Sequence, residues 1–268
     1  MLCQDILIWF FCVVLIITGS INFIRFWKTP ATYGRYTALS PGEKLVPAKV
    51  AWFFQELPSF VVPLLLLMTS DRHSTLGMYL LLGTFCLHYF QRTFIYSLRT
   101  RGQPFPINIM ATAFAFCTLN GFLQGHYLLH CATYEATWLS DGRLVTGLML
   151  FFLGMAINIH SDCILRNLRK PGGTKYKIPR GGLFEYVSAA NFLGEIMEWF
   201  GYTIATWSFP ALCFAFFSCC FIVTRVFRLH KTFTRKLIFF LFLNCYRYYL
   251  ENFKDYPRKR CRLIPFVF

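Results

Sequence analysis

The fold is decided by residues 186–226, YVSAANFLGEIMEWFGYTIATWSFPALCFAFFSCCFIVTRV, which predict two apolar helices placed one directly after the other. Each half is close to the roughly 20 residues that a helix needs to cross a hydrocarbon core of ~30 Å. The Ser-Phe-Pro sequence at 208–210 predicts a tight turn between the halves, so the two spans are 186–206 and 208–226. This pair indicates membrane-spanning helices and not part of an aqueous core.

Five further apolar stretches extend the pattern along the chain. Their approximate limits are 5–27, 50–68, 76–98, 107–131 and 144–161. Of the 268 residues, 56% are hydrophobic and only 15% are charged, whereas about a quarter of the residues of a soluble domain are charged. The loops between the stretches are too short for a separate soluble domain. We therefore predict one all-α, multi-pass integral membrane domain over residues 1–268, with about seven transmembrane helices.

The basic residues are distributed unevenly about these spans. With seven spans, 25 of the 27 Lys and Arg residues fall in the loops after spans 1, 3 and 5, in the C-terminal tail, or at the adjoining helix ends. Only Arg72 and Arg143 fall on the other side. The positive-inside rule then predicts a cytosolic C-terminus and an N-terminus outside the cytosol. The net charge of +15 therefore indicates membrane topology and not nucleic-acid binding.

The loop after the fifth span carries more positive charge than orientation requires. Six basic residues lie between Arg166 and Arg180, both included. A polyanionic cytosolic ligand would explain this excess, and NADPH is such a ligand because it carries a pyrophosphate and a 2′-phosphate. Arg suits the role because its planar guanidinium binds two phosphate oxygens at once. The alternative is that the charge serves topology alone.

Ionisable residues inside the spans are costly in lipid and are therefore candidate functional residues. Trp52 and Glu56 lie four residues apart and share a helix face. A carboxyl group in an apolar site can stay protonated and donate to a carbonyl, although a structural Glu satisfied by a neighbouring helix fits the same pattern. Tyr89 and Arg92 lie three residues apart, and the Tyr89 hydroxyl could polarise a ketone or anchor the helix at the interface.

A third group of polar residues ends the fifth span. Asn158, Asp162 and Arg166 follow one another at intervals of four residues and therefore form one stripe on a helix. Because the stripe runs into the basic loop, it indicates a wall of a nucleotide site. The alternative is a simple Asp162–Arg166 pair at the helix end, which would contribute little energy.

A fourth group lies in the sixth span. Asn191, Glu195 and Trp199 form its stripe, and Glu198 lies directly before Trp199. Two Glu residues in one span, with no basic residue between them, are hard to explain structurally and favour a functional interpretation.

Motifs of soluble cofactor-binding domains are missing from the chain. There is no GxGxxG after a strand and no P-loop, so a nicotinamide cofactor would not be held by a Rossmann domain. The eleven cysteines are scattered, mostly in apolar segments, without a CxxC pair or a His/Cys spacing typical of metal ligands. We expect them to be reduced packing residues and expect no metal site.

Five longer stretches are together specific to one family of membrane enzymes. They are AWFFQELPSF at 51–60, FCLHYFQRTFIYSL at 85–98, GMAINIHSDCILRNLRKPG at 154–172, GGLFEYVSAANFLGEIMEWFGYTIATWSFPALCFAFFS at 181–218 and KDYPRKRCRLIPFVF at 254–268. With these stretches the chain resembles the steroid 5α-reductases, or 3-oxo-5α-steroid 4-dehydrogenases, and most closely the type 2 members of that family. The resemblance covers nearly the whole chain from about residue 25.

The resemblance implies NADPH-dependent reduction of the C4–C5 double bond of a 3-oxo-Δ4 steroid, such as testosterone or progesterone, in the endoplasmic reticulum membrane. It places Glu56 and Tyr89 at the steroid 3-ketone, where they would stabilise the developing enolate. The implied cofactor-binding residues are Arg92, Arg101, Asn158, Asp162, Arg169, Tyr176, Asn191, Glu195 and Tyr249. The implied walls of the steroid pocket are Trp52, Phe116, Trp199, Phe217 and Phe221.

The chain departs from the family pattern at several positions. Gln103 and Lys177 stand where the family usually has Arg, Thr112 stands where type 2 members have Arg, and Leu229 replaces a His. Residues 231–246, KTFTRKLIFFLFLNCY, have no family counterpart. The apolar part of this insertion is too short to span a membrane, so we expect it to lie at the cytosolic interface.

Three other functions stay open on the sequence. A reductase of the same architecture could act on a polyprenal or an enoyl-CoA, although Glu56 paired with Tyr89 weighs against it. An inactive lipid-binding paralogue is made plausible by the insertion. A carrier or channel would predict paired broken helices or an internal repeat, and the sequence has neither.

Overall fold

The fold is a bundle of long helices, seen in a computed structural model. The described residues are 5–28, 44–70, 75–168 and 177–228. The predictions for Arg169, Tyr176, Tyr249 and the insertion at 231–246 lie outside these residues.

Eight α-helices follow one another along the described chain. They are α1 (Ile6–Lys28), α2 (Ala48–Met68), α3 (Leu76–Phe90), α4 (Ser97–Arg99), α5 (Ile107–His126), α6 (Gly142–Leu168), α7 (Ala190–Thr206) and α8 (Phe209–Arg228). Two π-helical segments, Gln91–Tyr96 and Tyr127–Cys131, continue α3 and α5. Short 3₁₀ turns cover Ala136–Ser140 and Gly182–Glu185, and two strands, β1 (Leu45–Val46) and β2 (Phe105–Pro106), pair antiparallel.

All seven apolar stretches predicted from the sequence are largely helical, which confirms the mostly helical fold. Within the part of the chain that the structure describes, four helical segments are long and apolar enough to cross a membrane, so the multi-pass character is supported by length and composition. They are Ile6–Arg25, Ala48–Met68, Ile107–Cys131 and Gly142–Leu168. The short β1–β2 pair was not predicted.

Two helix boundaries differ from the predicted spans by more than two residues. Helix α6 continues to Leu168, seven residues beyond the predicted limit, and therefore carries Asp162 within the helix. Helix α7 begins at Ala190 and not at residue 186. The reason is a turn that starts at Gly181 and Gly182, both with positive φ, and continues as a 3₁₀ helix before α7 can begin.

Helices α6 and α7 approach each other closely through glycines on both sides. A Cβ added to Gly154 would lie 2.5 Å from the backbone nitrogen of Glu198, and one added to Gly194 would lie 2.6 Å from that of Asn158. Small residues allow such backbone contact between membrane helices, where van der Waals packing replaces the hydrophobic effect. The polar ends of α6 and α7 are thereby held face to face.

Helices α2 and α5 form a second close pair. A Cβ on Gly121 would lie 3.0 Å from the Pro58 carbonyl oxygen, and the Ser59 hydroxyl donates to the Cys117 carbonyl at 2.8 Å. Ser59 is fully buried. This packing brings the middle of α2, which carries Glu56, against the middle of α5.

The connection between α7 and α8 is the tight turn that the Ser-Phe-Pro sequence predicts. Trp207 adopts a left-handed conformation with φ 47°, and its backbone N–H donates to the Thr203 carbonyl at 2.9 Å. The Ser208 hydroxyl then accepts from the Ala211 backbone N–H at 3.3 Å, which caps the start of α8. The two helices therefore run antiparallel with almost no loop.

One end of the bundle joins the start of α1 to the end of α5. His126 Nε2 lies 2.8 Å from Asp5 Oδ2, and this contact holds the pKa of Asp5 below its usual range. Cys131 is disulfide-bonded, so the expectation of reduced cysteines is wrong at that position. Asp5, His126 and Cys131 bring possible metal ligands within 4.8 Å of one another. Because the Cys131 sulfur is taken by the disulfide, the cluster is left with one oxygen and one nitrogen ligand.

Candidate active site

Arg92 is positioned by the π-helical continuation of α3. The six residues Gln91–Tyr96 form this segment, and the extra residue per turn rotates the following side chains relative to a regular α-helix. Arg92 is only 8% exposed. A buried guanidinium requires acidic or aromatic partners, and the structure supplies both.

A chain of hydrogen bonds joins Arg92 to α6 and α7. Its Nη1 donates to Asp162 Oδ2 at 3.2 Å, and Asn191 Nδ2 donates to Asp162 Oδ1 at 3.4 Å. Asn158 Nδ2 in turn donates to the Asn191 carbonyl at 2.9 Å. The Glu195 carboxylate lies within electrostatic range of both Arg92 and Asp162. We call Arg92, Asn158, Asp162, Asn191 and Glu195 the polar cluster.

The aromatic partners of Arg92 come from α2 and from its own π-helical segment. Its guanidinium carbon lies 4.8 Å from the centroid of the Trp52 ring and 4.2 Å from that of Tyr96. Trp52 also meets Tyr96 edge-on at 5.1 Å and Phe105 at 5.8 Å. Trp52, predicted as a steroid-pocket wall, therefore lies beside the polar cluster.

Tyr89 is buried and Glu56 is half-buried, and the two side chains lie on neighbouring helices in the same interior region. Cys117 Sγ is 3.9 Å from Glu56 Oε2, and Gln55 Nε2 is 3.4 Å from Glu56 Oε1. Glu56 and Cys117 are both electrostatic neighbours of the Tyr89 hydroxyl. Glu56 is also an electrostatic neighbour of Arg92. A carboxyl group, a phenol and the polar cluster thus occupy one continuous interior region.

The other four predicted pocket residues form a continuous row of aromatic contacts. Trp199 lies 5.9 Å from Tyr89 and meets Phe214 edge-on at 4.5 Å. Phe116 is 6.2 Å from Phe214 and stacks on Phe217 at 4.4 Å, and Phe217 meets Phe221 at 4.7 Å. The row starts at Tyr89 and is built from α5, α7 and α8. Phe214 also belongs to the row, although the sequence did not predict it as a pocket residue.

A buried hydrogen bond between a His and a Glu beside Tyr89 was also missed. His88 Nδ1 lies 2.6 Å from Glu198 Oε1, and the His88 ring lies 4.4 Å from the Trp199 ring. Both side chains are almost completely buried. This pair joins α3 to α7 and accounts for one of the two acidic residues in the sixth span. The sequence shows only a His and a Glu on different spans, and nothing in it indicates that they meet.

Two buried amides on α5 complete the surroundings of Tyr89. Asn120 Nδ2 donates to the Tyr89 hydroxyl at 3.0 Å, and Gln124 Nε2 lies 3.4 Å from Asn120 Oδ1. Asn120 is fully buried, and Gln124 is 1% exposed. The sequence could have predicted Asn120 and Gln124 as candidate residues, because two amides four residues apart in an apolar span share a helix face.

Several predicted residues are placed elsewhere or fall outside the described chain. Arg101 lies in an exposed connection after α4. Arg169, Tyr176 and Tyr249 are outside the described residues. The suggested Asp162–Arg166 pair is wrong: Asp162 binds Arg92, while Arg166 Nη2 contacts Cys163 Sγ at 3.1 Å.

The arrangement suits polarisation of a carbonyl next to a polar cofactor site. The Tyr89 hydroxyl can donate a hydrogen bond, and Glu56 can do so when it is protonated; inside the bundle such hydrogen bonds to a developing oxyanion are strong. The aromatic row beside them is a flat apolar wall, whose Trp199 and Phe214 rings are buried. Arg92 offers further N–H donors, because among the described residues its guanidinium hydrogen-bonds only Asp162.

Comparisons with known proteins point to one enzyme family. A family model described as 3-oxo-5-alpha-steroid 4-dehydrogenase matches residues 103–240. The chain is 54% identical to 3-oxo-5-alpha-steroid 4-dehydrogenase 2 of Sus scrofa, over 91% of this chain and 90% of the relative. Identity to the type 2 protein of Homo sapiens is 52%, with 89% of each chain covered. Identity to the type 1 protein of Homo sapiens is 46%, over 93% and 91%.

Proposed function

The chain belongs to the 3-oxo-5-alpha-steroid 4-dehydrogenase family, and on that premise we propose that it reduces the C4–C5 double bond of 3-oxo-Δ4 steroids with NADPH. Testosterone and progesterone are substrates of this class. The observation that carries the proposal is the position of Glu56 and Tyr89. They share one region inside the bundle, with the polar cluster on one side and the aromatic row on the other.

The ketone end of the steroid is assigned to Glu56 and Tyr89. During reduction, the oxygen at C3 gains negative charge as the enolate forms. A protonated Glu56 and the Tyr89 hydroxyl would donate hydrogen bonds to that oxygen and lower the barrier. Protonation at C4 then completes the saturated product. The dry surroundings strengthen both hydrogen bonds, because no bulk water competes for the oxygen.

The polar cluster is assigned to the cofactor. Its donors and acceptors fit the amide, ribose and phosphate groups of a nicotinamide dinucleotide, and Arg92 retains unused N–H donors among the described residues. Asn158, Asp162, Asn191 and Glu195 would bind with Arg92 at the buried end, and Arg101, Arg169, Tyr176 and Tyr249 would bind further along the cofactor. When bound, NADPH supplies the hydride that saturates C5.

The flat apolar body of the steroid is assigned to aromatic walls. Trp199, Phe116, Phe217 and Phe221 lie in the aromatic row, which begins at Tyr89 and leads away from the ketone position. Trp52, beside Arg92, would border both ligands. Large rings with few rotatable bonds give contact area at a low entropic cost.

We place the protein in the endoplasmic reticulum membrane with seven spans, a lumenal N-terminus and a cytosolic C-terminus. Because successive spans cross the membrane in opposite directions, β1, β2 and the polar cluster lie at the end predicted to face the cytosol, where NADPH would bind. Asp5, His126 and Cys131 lie at the opposite end. The disulfide at Cys131 supports this orientation, because disulfides persist in the oxidising lumen and are rare in the cytosol.

The test is an assay of the purified full-length protein with testosterone and NADPH, in which the 5α-reduced product is identified by mass spectrometry. We expect turnover with NADPH and at least tenfold lower kcat/KM with NADH, because the basic loops would recognise the 2′-phosphate. A polyprenal and an enoyl-CoA serve as comparison substrates. Turnover of either of these, with none of testosterone or progesterone, would refute the proposal.

A further inference from the structure

Tyr89 is the first member of a buried hydrogen-bond chain that leads away from the proposed ketone position. Its hydroxyl oxygen accepts from Asn120 Nδ2 at 3.0 Å. Gln124 Nε2 contacts Asn120 Oδ1 at 3.4 Å and the Pro210 carbonyl oxygen at 3.2 Å. The chain therefore runs from α8 through two amides of α5 to the phenol of α3. No part of it belongs to the assignments made above beyond Tyr89 itself.

The direction of this chain is fixed at the Pro210 end. A backbone carbonyl can only accept, so the group of Gln124 that faces Pro210 must be its NH₂. The same NH₂ also faces Asn120, which must therefore present its oxygen to Gln124. Asn120 is then left with its own NH₂ pointing at Tyr89. Reversal of either amide would bring two donors or two acceptors together in a buried place, which is costly.

The fixed direction decides what the Tyr89 hydroxyl can do. Because Asn120 donates to it, the hydroxyl cannot donate in return along that line and must direct its own hydrogen elsewhere. Among the described residues, Asn120 is the one side chain that is hydrogen-bonded to the Tyr89 hydroxyl. The Tyr89 hydrogen is therefore left for an acceptor on the side away from Asn120, where the substrate ketone is assigned.

We propose that Asn120 and Gln124 are positioning residues that hold the Tyr89 hydroxyl as a hydrogen-bond donor to the substrate ketone. This inference rests on the proposed function, since it assumes that a ketone binds beside Glu56 and Tyr89. Neither amide touches the substrate. Their effect is to remove the alternative rotamer in which the phenol would donate to α5 and offer only lone pairs to the ketone. Preorganised donors are worth most in such a site because no reorganisation is needed during the reaction.

The test is a double-mutant cycle between Asn120→Leu and Tyr89→Phe, measured with testosterone and NADPH. Leu keeps the branched shape of Asn but can neither donate nor accept. We expect Asn120→Leu to lower kcat about tenfold, with the KM for NADPH unchanged, and to cause less than a twofold further loss in the Tyr89→Phe background. Asn108→Leu, an exposed amide on the same helix, is the control and should leave kcat unchanged.

The outcomes separate this inference from the proposed function. A wild-type protein that forms no 5α-reduced steroid would refute the function itself. If the wild type is active, two results would refute the positioning role of Asn120 and leave the proposed function standing. In the first, Asn120→Leu keeps its kcat. In the second, Asn120→Leu lowers kcat by the same factor with Tyr89 and with Phe at position 89, as a merely structural role predicts. If Asn120→Leu does not fold, Gln124→Met takes its place in the double-mutant cycle with Tyr89→Phe. Met matches Gln in length, frees the Asn120 amide to rotate, and should lower kcat severalfold only when Tyr89 is present.

Discussion

Arg92 and Asp162, 70 residues apart in the chain, are hydrogen-bonded at 3.2 Å inside the helix bundle. Both side chains are about 10% exposed, so the contact is shielded from bulk water. A buried charge pair is expensive unless its remaining hydrogen-bonding groups are satisfied. Asn191 satisfies the second Asp162 oxygen, and the Trp52 and Tyr96 rings cover the guanidinium. The pair therefore links the predicted ketone residues on α2 and α3 to the predicted cofactor residues on α6 and α7.

The first prediction concerns the shape of the Arg92 side chain. Arg92→Lys keeps the charge but loses the planar fork and the contact with two aromatic rings. We expect the KM for NADPH to rise at least tenfold while the protein remains folded, measured by steady-state kinetics. An unchanged KM would exclude Arg92 from cofactor binding.

A matched control for this variant exists at the opposite end of the bundle. Arg143 also pairs with an acid, Asp141, at 2.7 Å, and lies over two aromatic rings, those of Trp138 and Trp207. The pKa of Asp141 is lowered to about 2 by hydrogen bonds from Arg143, so this pair stays intact over the pH range of the assay. Arg143→Lys should therefore leave the KM for NADPH unaltered.

The second prediction concerns the proposed acid. Glu56→Gln should lower kcat about 10²–10³-fold, because the amide is a weaker donor than a carboxyl group to the developing enolate. Binding of NADPH, followed by fluorescence, should stay within about twofold of the wild type. Tyr89→Phe should act in the same direction but less strongly, since Glu56 remains. A Glu56→Gln variant that kept most of its kcat would show that the ketone lies elsewhere.

The third prediction concerns the contact between α6 and α7. Gly154→Ala places a methyl group where only 2.5 Å is available to the Glu198 backbone nitrogen. Neither backbone can yield locally, so the helices must separate, at a cost of about 1–3 kcal/mol. We expect a lower melting temperature in detergent and weaker NADPH binding, because Asn158 and Asn191 would move apart.

The control for the glycine variant is Gly83→Ala on α3. Apart from the backbone of α3 itself, no atom of the described residues lies within 4 Å of a Cβ at Gly83, so the methyl group meets no packing neighbour among them. Because Ala is a better helix former than Gly, we expect an equal or slightly higher melting temperature. Similar destabilisation by both substitutions would mean that helix propensity and not close packing governs these positions.

The sequence predicted the helices well, because their length and hydrophobicity are local properties of the chain. The turn at Ser208 was also predictable, since its signal lies within three residues. The partner of Asp162 was not. Spacing shows which residues can meet along one helix, and on that basis Arg166 was the alternative partner. The actual partner, Arg92, depends on how α3 and α6 are rotated in the bundle, and the π-helical segment changes that rotation.

The sequence singled out the main residues of the candidate site, but not the buried residues that pack and hydrogen-bond around them. Resemblance to a known family placed Glu56, Tyr89 and the polar cluster together. The His88–Glu198 pair and the Asn120–Gln124 chain act between helices, so neither leaves a motif at a fixed spacing across the spans they join. The disulfide at Cys131 was missed for a related reason. It requires a second cysteine brought near by the fold, and apolar surroundings alone had favoured a reduced thiol.

The last prediction concerns the orientation of the bundle in the membrane. A glycosylation acceptor inserted near residue 137, between α5 and α6, should be modified in microsomes, and one inserted near residue 174 should not. The first position lies six residues after the disulfide-bonded Cys131, at the end that carries Asp141 and Arg143. The second lies outside the described residues, in the basic loop that the positive-inside rule assigns to the cytosol. Modification would appear as a mass shift that an endoglycosidase removes. The two markers control each other, because a correctly inserted protein can present only one of these ends to the lumen. The reverse pattern would place the polar cluster at the lumenal end, away from cytosolic NADPH, and would refute both the orientation and the cofactor assignment.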